Sequence, residues 1–261
     1  MQVVRGVEAY TPGKEGLCPC RVGGNQMAAC GFHRRTHDLT GCAGSSQNLH
    51  IGADVVLLAV KPKQFAEVSA GLNGHLQAGA VAISLMTAID LDGMARGLGI
   101  DRVVRASTNI GIQAGVATTY WAGSSALGTG NRTELAAIFD AWGDSFECES
   151  EKLLDVAMVG VGSKPALVIE FARAMIAGIK TNGMPAELAE KGILSLVSGT
   201  AVLVNQGGRS PEAFQKSVVT PGGITAEALA SLGDDGFSES IVRAFQKALD
   251  RTSQLTSPDK N

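Results

Sequence analysis

The chain has 261 residues, 45% of them hydrophobic, and its 22 Lys and Arg against 25 Asp and Glu give a formal net charge of −3. This length suffices for two domains, each with a hydrophobic core of its own, and two are expected. The sequence has no basic block of the kind that neutralises phosphates, so a nucleic-acid partner is not expected. The longest uncharged apolar-leaning stretch, Ile193 to Gly208, falls short of the roughly 20 apolar residues that a membrane-spanning helix needs.

Residues 1–50 differ in composition from the rest of the chain, because they hold four of the five Cys and three of the four His but no clear apolar period. Charged residues interrupt the segment where a secretory signal would have its apolar core. With neither a spanning stretch nor a signal pattern, a soluble cytoplasmic protein is expected, and reduced thiols are the simplest explanation of the odd number of cysteines. The spacing of the Cys and His residues matches no regular zinc pattern, and no metal is expected. The residues that such a metal site would use are Cys18, Cys20, Cys30, His33, His37 and Cys42.

The next hundred residues alternate short apolar runs with helical patterns, which predicts a parallel sheet covered by helices. The predicted strands are Asp54–Val60, Ala80–Leu85, Arg102–Ala106, Gly115–Tyr120 and Ser145–Cys148. The predicted helices are Lys63–Leu72, Leu91–Leu98 and Arg132–Trp142. Together they indicate at least half of a Rossmann-like domain.

From about residue 151 the strand pattern disappears and only helices are predicted. One helix begins at Pro165 and stops at Asn182-Gly183, and the next begins at Pro185 and runs to Asn205. The second of these helices is apolar around much of its circumference, so it must be covered on most sides. A short helix from Ser210-Pro211-Glu212 and a final amphipathic helix follow.

The strand that ends in Ala59-Val60-Lys61-Pro62 predicts a ligand edge. Pro62 removes a donor from the ladder and ends the strand, and ligands of open α/β sheets lie beyond the carboxyl ends of strands. Lys61 could face a phosphate or a ribose there. A solvated lysine at the end of a core strand explains the same pattern.

Two polar segments are further candidates for ligand binding. Val219 to Glu227 joins two helices through Gly222-Gly223, with Thr225 predicted as the N-cap, and its converging backbone N–H groups would suit a carboxylate. An ordinary Pro-Gly turn with a capping threonine is the alternative. Asn109, which follows the strand Arg102–Ala106, could bond a carboxamide or simply cap the next loop.

Four segments in order resemble the pyrroline-5-carboxylate reductase family. They are a strand ending in Ala-Val-Lys-Pro, an Arg-x-x-x-Asn element, Gly-Ser-x-Pro-Ala at Gly162 to Ala166, and Pro-Gly-Gly-x-Thr at Pro221 to Thr225. The similarity covers roughly Ala53 to Leu255. It implies an α/β fold in which a Rossmann-like parallel-sheet domain, residues 1–150, precedes an all-α dimerisation and substrate domain, residues 151–261.

The resemblance also implies an activity. Members reduce 1-pyrroline-5-carboxylate to L-proline, the final step of proline biosynthesis, with NADPH as the expected cofactor and NADH as the other candidate. A homodimer, or a higher homo-oligomer of dimers, is implied, with a small imino acid as substrate and neither nucleic acid nor membrane as partner. The reaction needs no metal, because the protonated imine is already electrophilic and the task is alignment with the dihydronicotinamide.

Site residues are implied by the same resemblance. The residues implied to border the cofactor are Gly23, Gly24, Asn25, Ala59, Val60, Lys61 and Pro62, with Asn109 near the nicotinamide. The residues implied to hold the substrate carboxylate are Thr220, Gly222 and Gly223. Thr225 would hydrogen-bond the ring nitrogen and is the implied catalytic residue.

The chain departs from the family pattern at several positions. Val22-Gly23-Gly24-Asn25 looks like the family's Gly-x-Gly-Asn-Met loop with its spacing disturbed, which would present fewer amides to a pyrophosphate. Lys164 stands where the family has a glycine, and Ser107 where it has a methionine. Two alternatives therefore stay open: a reductase of another cyclic imine, and a catalytically impaired dimeric homologue with a binding or regulatory role.

Overall fold

The structure is a computed structural model that describes residues 29–32, 39–40, 53–162 and 164–256. The chain divides into two compact units, one that reaches to Lys164 and includes the last residues from Thr252, and one from Pro165 to Arg251. Among the described helices none is long and apolar enough to cross a membrane.

The first unit contains a sheet whose described strands have the order β2-β1-β3-β4-β5-β6-β7. Their bounds are β1 Ala29–Phe32, β2 Leu39–Thr40, β3 Val55–Leu58, β4 Val81–Ser84, β5 Val103–Ser107, β6 Ala117–Gly123 and β7 Gly143–Glu147. Strands β3, β4 and β5 are parallel to one another, and β6 is parallel to β7. The five strands predicted after residue 50 are confirmed, with ends that differ by one to three residues.

The sheet departs from an all-parallel arrangement at two places. Strand β6 runs antiparallel to β5, and β1 runs antiparallel to both β2 and β3. Between β5 and β6 the chain has only a short connection built around the 3₁₀ helix Ile110–Ala114. A parallel return needs a crossover of about a dozen residues or more, so this connection turns the chain straight back.

Four helices accompany the strands of the first unit. They are α1 Phe65–Leu72, α2 Leu91–Leu98, α3 Thr129–Asp140 and α4 Glu151–Ala157. The alternation of side chains along the strands sends Val56 and Leu58 into a core with α1 and α2, whereas Val55 joins Leu135 and Phe139 in the core under α3. Helix α2 has the predicted bounds. Its first turn is capped by Asp90, whose side chain accepts a bond of 2.7 Å from Gly93 N.

Helix α4 continues directly into a π-helical turn, Met158–Gly162. Such turns are rare and are often found at functional sites. The sequence pattern identified this segment only through the Gly-Ser-x-Pro-Ala element that begins at Gly162, and it did not predict the π-helical turn.

The second unit consists of helices, as predicted. Their bounds are α5 Pro165–Thr181, α6 Ala186–Gln206, α7 Pro211–Val218, α8 Ile224–Asp234 and α9 Phe237–Thr256, the last of which extends past Arg251. The predicted stop after α5 is confirmed, since Gly183 has a φ of 95°. The predicted start of α7 is confirmed as well, because the Ser210 side chain accepts a bond from Ala213 N.

Candidate functional site

The carboxyl ends of three parallel strands lie side by side at one edge of the sheet. Leu58 at the end of β3 is in register with Ser84 at the end of β4, and Ser84 is in register with Arg105 near the end of β5. The segments that leave these strands therefore start next to one another. In open α/β sheets this is the edge where a dinucleotide binds.

The segment Ala59 to Pro62 leaves β3 as a rigid turn. Lys61 N donates to Gln64 Oε1 over 3.1 Å, and Gln64 N donates to the Lys61 carbonyl over 2.9 Å. Val60 is buried while Ala59 and Lys61 are exposed. These two bonds hold the backbone at Lys61 in place. The Lys61 side chain is exposed at the ligand edge, a placement compatible both with a contact to a phosphate or ribose and with a solvated lysine.

Asn109 follows β5 and caps the 3₁₀ helix, because its side-chain Oδ1 accepts a bond from Gly111 N of 2.9 Å. The capping role that the sequence left open is therefore present. With Oδ1 occupied in this way, the amino group Nδ2 is the part of the side chain left to donate to a ligand. The preceding residue is held too, since Thr108 Oγ1 lies 3.0 Å from the buried Thr119 Oγ1.

A buried arginine lies behind this edge, and the sequence reasoning assigned it no side-chain role. Nη1 of Arg105 lies 2.8 Å from Glu151 Oε1, and its Nη2 lies 2.9 Å from Asp155 Oδ1. The same Nη2 also donates to the Thr87 carbonyl over 3.3 Å. The available signal was the position of a cation inside the apolar strand Val103–Ser107, since charged side chains are almost never buried unless they are paired.

The Thr220 to Thr225 turn lies in the second unit. Gly222 has a φ of 69°, and Gly223 N donates to the Thr220 carbonyl over 2.9 Å. Gly223 is the N-cap of α8, so the prediction that Thr225 caps this helix is wrong: Thr225 is the second helical residue. The turn closes through Gly223 and the helix begins two residues earlier than its threonine suggested.

This start of α8 presents backbone donors. The first bond inside the helix runs from Glu227 N to the Gly223 carbonyl, so the N–H groups of Ile224, Thr225 and Ala226 have no acceptor within the helix. A carboxylate at such a helix start would be stabilised by these groups and by the helix dipole. The exposed side chain of Thr225 adds a hydroxyl to the same turn.

Several predicted positions lie outside the described residues. These are Gly23, Gly24 and Asn25 of the glycine loop, together with Cys18, Cys20, His33, His37 and Cys42, and the side chain of Cys30. Among the residues that the structure does describe, no group of three or more His, Cys, Asp or Glu side chains could hold a metal ion.

A nicotinamide dinucleotide fits the described edge in part. Three parallel strand ends, the exposed Lys61 and the Asn109 amino group form an edge suited to the ribose and carboxamide of such a cofactor. The described neighbour of β3 on the other side is the antiparallel β1, so no described strand there leads into a glycine loop and helix for the pyrophosphate.

Known proteins resemble both parts of the chain. Residues 151–255 match the family described as pyrroline-5-carboxylate reductase dimerisation. The pyrroline-5-carboxylate reductase of Synechocystis is 32% identical over 204 residues, which cover 78% of this chain and 75% of the relative. That of Escherichia coli is 29% identical over 223 residues, which cover 84% of this chain and 82% of the relative. The crystal structure of Plasmodium falciparum pyrroline carboxylate reductase with NADP bound shares the fold, with a TM-score of 0.72 at 23% identity and coverage of 82% of this chain and 81% of that one.

Proposed function

Because the chain belongs to the pyrroline-5-carboxylate reductase family, we propose that it reduces 1-pyrroline-5-carboxylate to L-proline with NADPH, or with NADH, as the last step of proline biosynthesis. The observation that carries this proposal is the 32% identity to the Synechocystis reductase across 78% of the chain. This similarity extends over the sheet and the helices alike, so it is not the likeness of a nucleotide-binding fold alone.

The residue roles of the proposal follow the geometry of each unit. When bound, the dihydronicotinamide supplies a hydride to the imine carbon. Ala59, Val60, Lys61 and Pro62 would border the cofactor on their fixed turn, and the Asn109 amino group would orient the carboxamide. Gly23, Gly24 and Asn25 are proposed to contact its phosphates.

The substrate would bind at the start of α8. Gly222 and Gly223 let its carboxylate approach the free N–H groups of the first helical turn, next to Thr220. The Thr225 hydroxyl would then hydrogen-bond the ring nitrogen, which keeps the imine in the orientation that accepts hydride. Catalysis in this scheme depends on alignment, and no metal takes part.

Assembly and location belong to the same proposal. The helices after residue 151 leave many large apolar side chains exposed in the single chain, which favours a homodimer built from them. These side chains are Val168, Ile169, Phe171, Leu188, Leu194, Leu196, Val202 and Leu203. A reducing compartment such as the cytoplasm suits the free thiol of Cys148.

A second candidate function is a dimeric homologue that has lost catalysis and keeps a binding or regulatory role. The antiparallel pairing of β1 with β3 favours it, since a phosphate-binding turn normally follows a parallel strand at that place. The departures at Ser107 and Lys164 leave room for a reductase of a different cyclic imine as well.

Titration of the purified protein with NADPH, followed by cofactor fluorescence, separates these functions. We expect saturable binding at micromolar to millimolar cofactor and NADPH oxidation upon addition of pyrroline-5-carboxylate. Absence of binding at millimolar cofactor would favour the impaired homologue. Binding with turnover of a six-membered cyclic imino acid, but not of the five-membered one, would assign the enzyme to another substrate.

A further inference from the structure

The ion pairs of Arg105 join three separate segments of the first unit. Its guanidinium bonds Glu151 and Asp155, which lie one turn apart on α4, and the carbonyl of Thr87 after β4. Glu151 Oε1 accepts a second bond, of 3.0 Å, from Leu91 N at the start of α2. One side chain on β5 therefore anchors α4, the loop after β4 and the start of α2 together.

Burial makes this anchor specific. The Arg105 side chain is 7% exposed, whereas Glu151 and Asp155 are 31% and 48% exposed. The planar fork of an arginine can bond two carboxylates and a carbonyl in fixed directions, which a lysine ammonium cannot do in the same geometry. Nε of Arg105 is buried without a hydrogen-bond partner among the described residues.

The carboxyl end of α4 identifies the segment that the Arg105 ion pairs would position. Helix α4 runs into the π-helical turn Met158–Gly162, and the backbone of Gly162 lies against the end of β5. A Cβ added to Gly162 would lie 2.8 Å from Ser107 Oγ and 3.6 Å from the Thr108 carbonyl. The π-helical turn therefore packs against the residues that lead to Asn109.

We infer that Arg105 is a positioning residue for the reduction: by fixing α4, it holds the π-helical turn against Ser107 and Thr108 and so sets the position of Asn109 at the ligand edge. This inference rests on the proposed function. Arg105 itself acts only through these segments. Its loss should affect hydride transfer more than cofactor affinity, because the Ala59 to Pro62 turn is fixed by its own hydrogen bonds.

The test compares Arg105→Lys and the double variant Glu151→Gln/Asp155→Asn with the parent. The double variant changes two partly exposed side chains, so it tests the inference even if the lysine variant does not fold. Glu149→Gln is the matched control, since it removes a carboxylate just before α4 from an exposed side chain that forms no ion pair within the described residues.

Three quantities would be measured on folded protein: the NADPH Kd by fluorescence, kcat and KM for pyrroline-5-carboxylate, and hydrogen exchange of the backbone amides of residues 158–162. For both anchor variants we expect kcat to fall about tenfold, the NADPH Kd to change less than twofold, and exchange at 158–162 to become faster. Glu149→Gln should match the parent in all three.

Parent values of kcat in the folded double variant would overturn the inference, as would unchanged exchange at residues 158–162. A parent protein that binds NADPH but reduces no cyclic imino acid would instead contradict the proposed function. In that case the exchange measurement still decides whether Arg105 positions the π-helical turn.

Discussion

The backbone N–H of Gly223 donates to the Thr220 carbonyl over 2.9 Å, and this bond closes the turn that precedes α8. It also takes up the Gly223 N–H, whereas the N–H groups of Ile224, Thr225 and Ala226 at the start of the helix have no acceptor within it. Thr225 is thereby released from capping the helix. Its side chain is exposed at the first turn of the helix.

Replacement of Thr225 by alanine tests the hydroxyl. Because Thr225 is not the N-cap and alanine has the higher helix propensity, we expect no loss of stability. If the hydroxyl bonds the reacting nitrogen, kcat should fall by on the order of 10²-fold in steady-state assays. Thr225→Ser, which keeps the hydroxyl, should recover most of the rate. An alanine variant that is folded and turns over at the parent rate would remove Thr225 from the site.

Replacement of Gly223 by valine tests the turn itself. A Cβ at Gly223 would lie 3.0 Å from the Thr220 carbonyl oxygen, so the backbone of the turn would have to shift. We expect KM for the imino acid to rise several-fold with a smaller change in kcat, since the amide donors hold substrate and transition state alike. Gly208→Asn is the control, because Gly208 lies outside this turn, an added Cβ there would meet open space, and asparagine tolerates its φ of 58°. Equal KM values in both variants and the parent would show that the turn does not hold the substrate.

Replacement of Leu203 by glutamate tests the proposed dimer. Leu203 lies on α6 and is 57% exposed in the single chain, so an interface built from this helix would have to bury the new charge. Sedimentation velocity at micromolar concentration should show a dimer for the parent and a monomer for the variant. Val116→Glu alters an apolar residue of the first unit that is 71% exposed, and it should stay dimeric. A parent that sediments as a folded monomer would refute the dimer.

Burial raises the pKa of the Cys148 thiol. The folded protein therefore keeps this proton at a pH where the unfolded chain, with an ordinary thiol pKa of about 8.5, begins to lose it. The resulting contribution to stability is complete below pH ~8.5 and is lost as the pH rises towards the folded pKa. In urea unfolding, the free energy of unfolding should fall between pH 7.5 and pH 9.5, and this fall should be smaller for Cys148→Ala than for the parent. An equal fall in the two proteins would contradict the prediction.

The thiol should also react slowly. Cys148 is 5% exposed, so a thiol reagent at pH 8 should label its peptide much more slowly in folded protein than in urea. Mass spectrometry of the labelled peptide separates it from the other four cysteines. Rapid labelling in the folded state would show that the site is not closed.

Local patterns determined much of this protein. The apolar runs around Val56, Ile83 and Val104 each predict a buried strand. Such a run places apolar side chains on both faces of the strand, so both faces of the sheet must be covered. The helix starts at Pro165 and Ser210 and the stop at Gly183 depend on neighbouring residues alone, and the structure has them where the sequence placed them. The order of the four family segments was likewise visible without any structure.

Tertiary structure decided the features that depend on distant residues. The partners of Arg105 lie 46 and 50 residues away along the chain, so only the packing of α4 against β5 could reveal them. The direction of β6 depended on whether its short connection could hold a crossover helix. Thr225 was mistaken for an N-cap because Gly223, which has no side-chain acceptor, begins α8 through backbone geometry alone. Periodicity reports which face of an element is buried, but the partners of a buried charge and the exact residue where a turn closes are set by the whole fold.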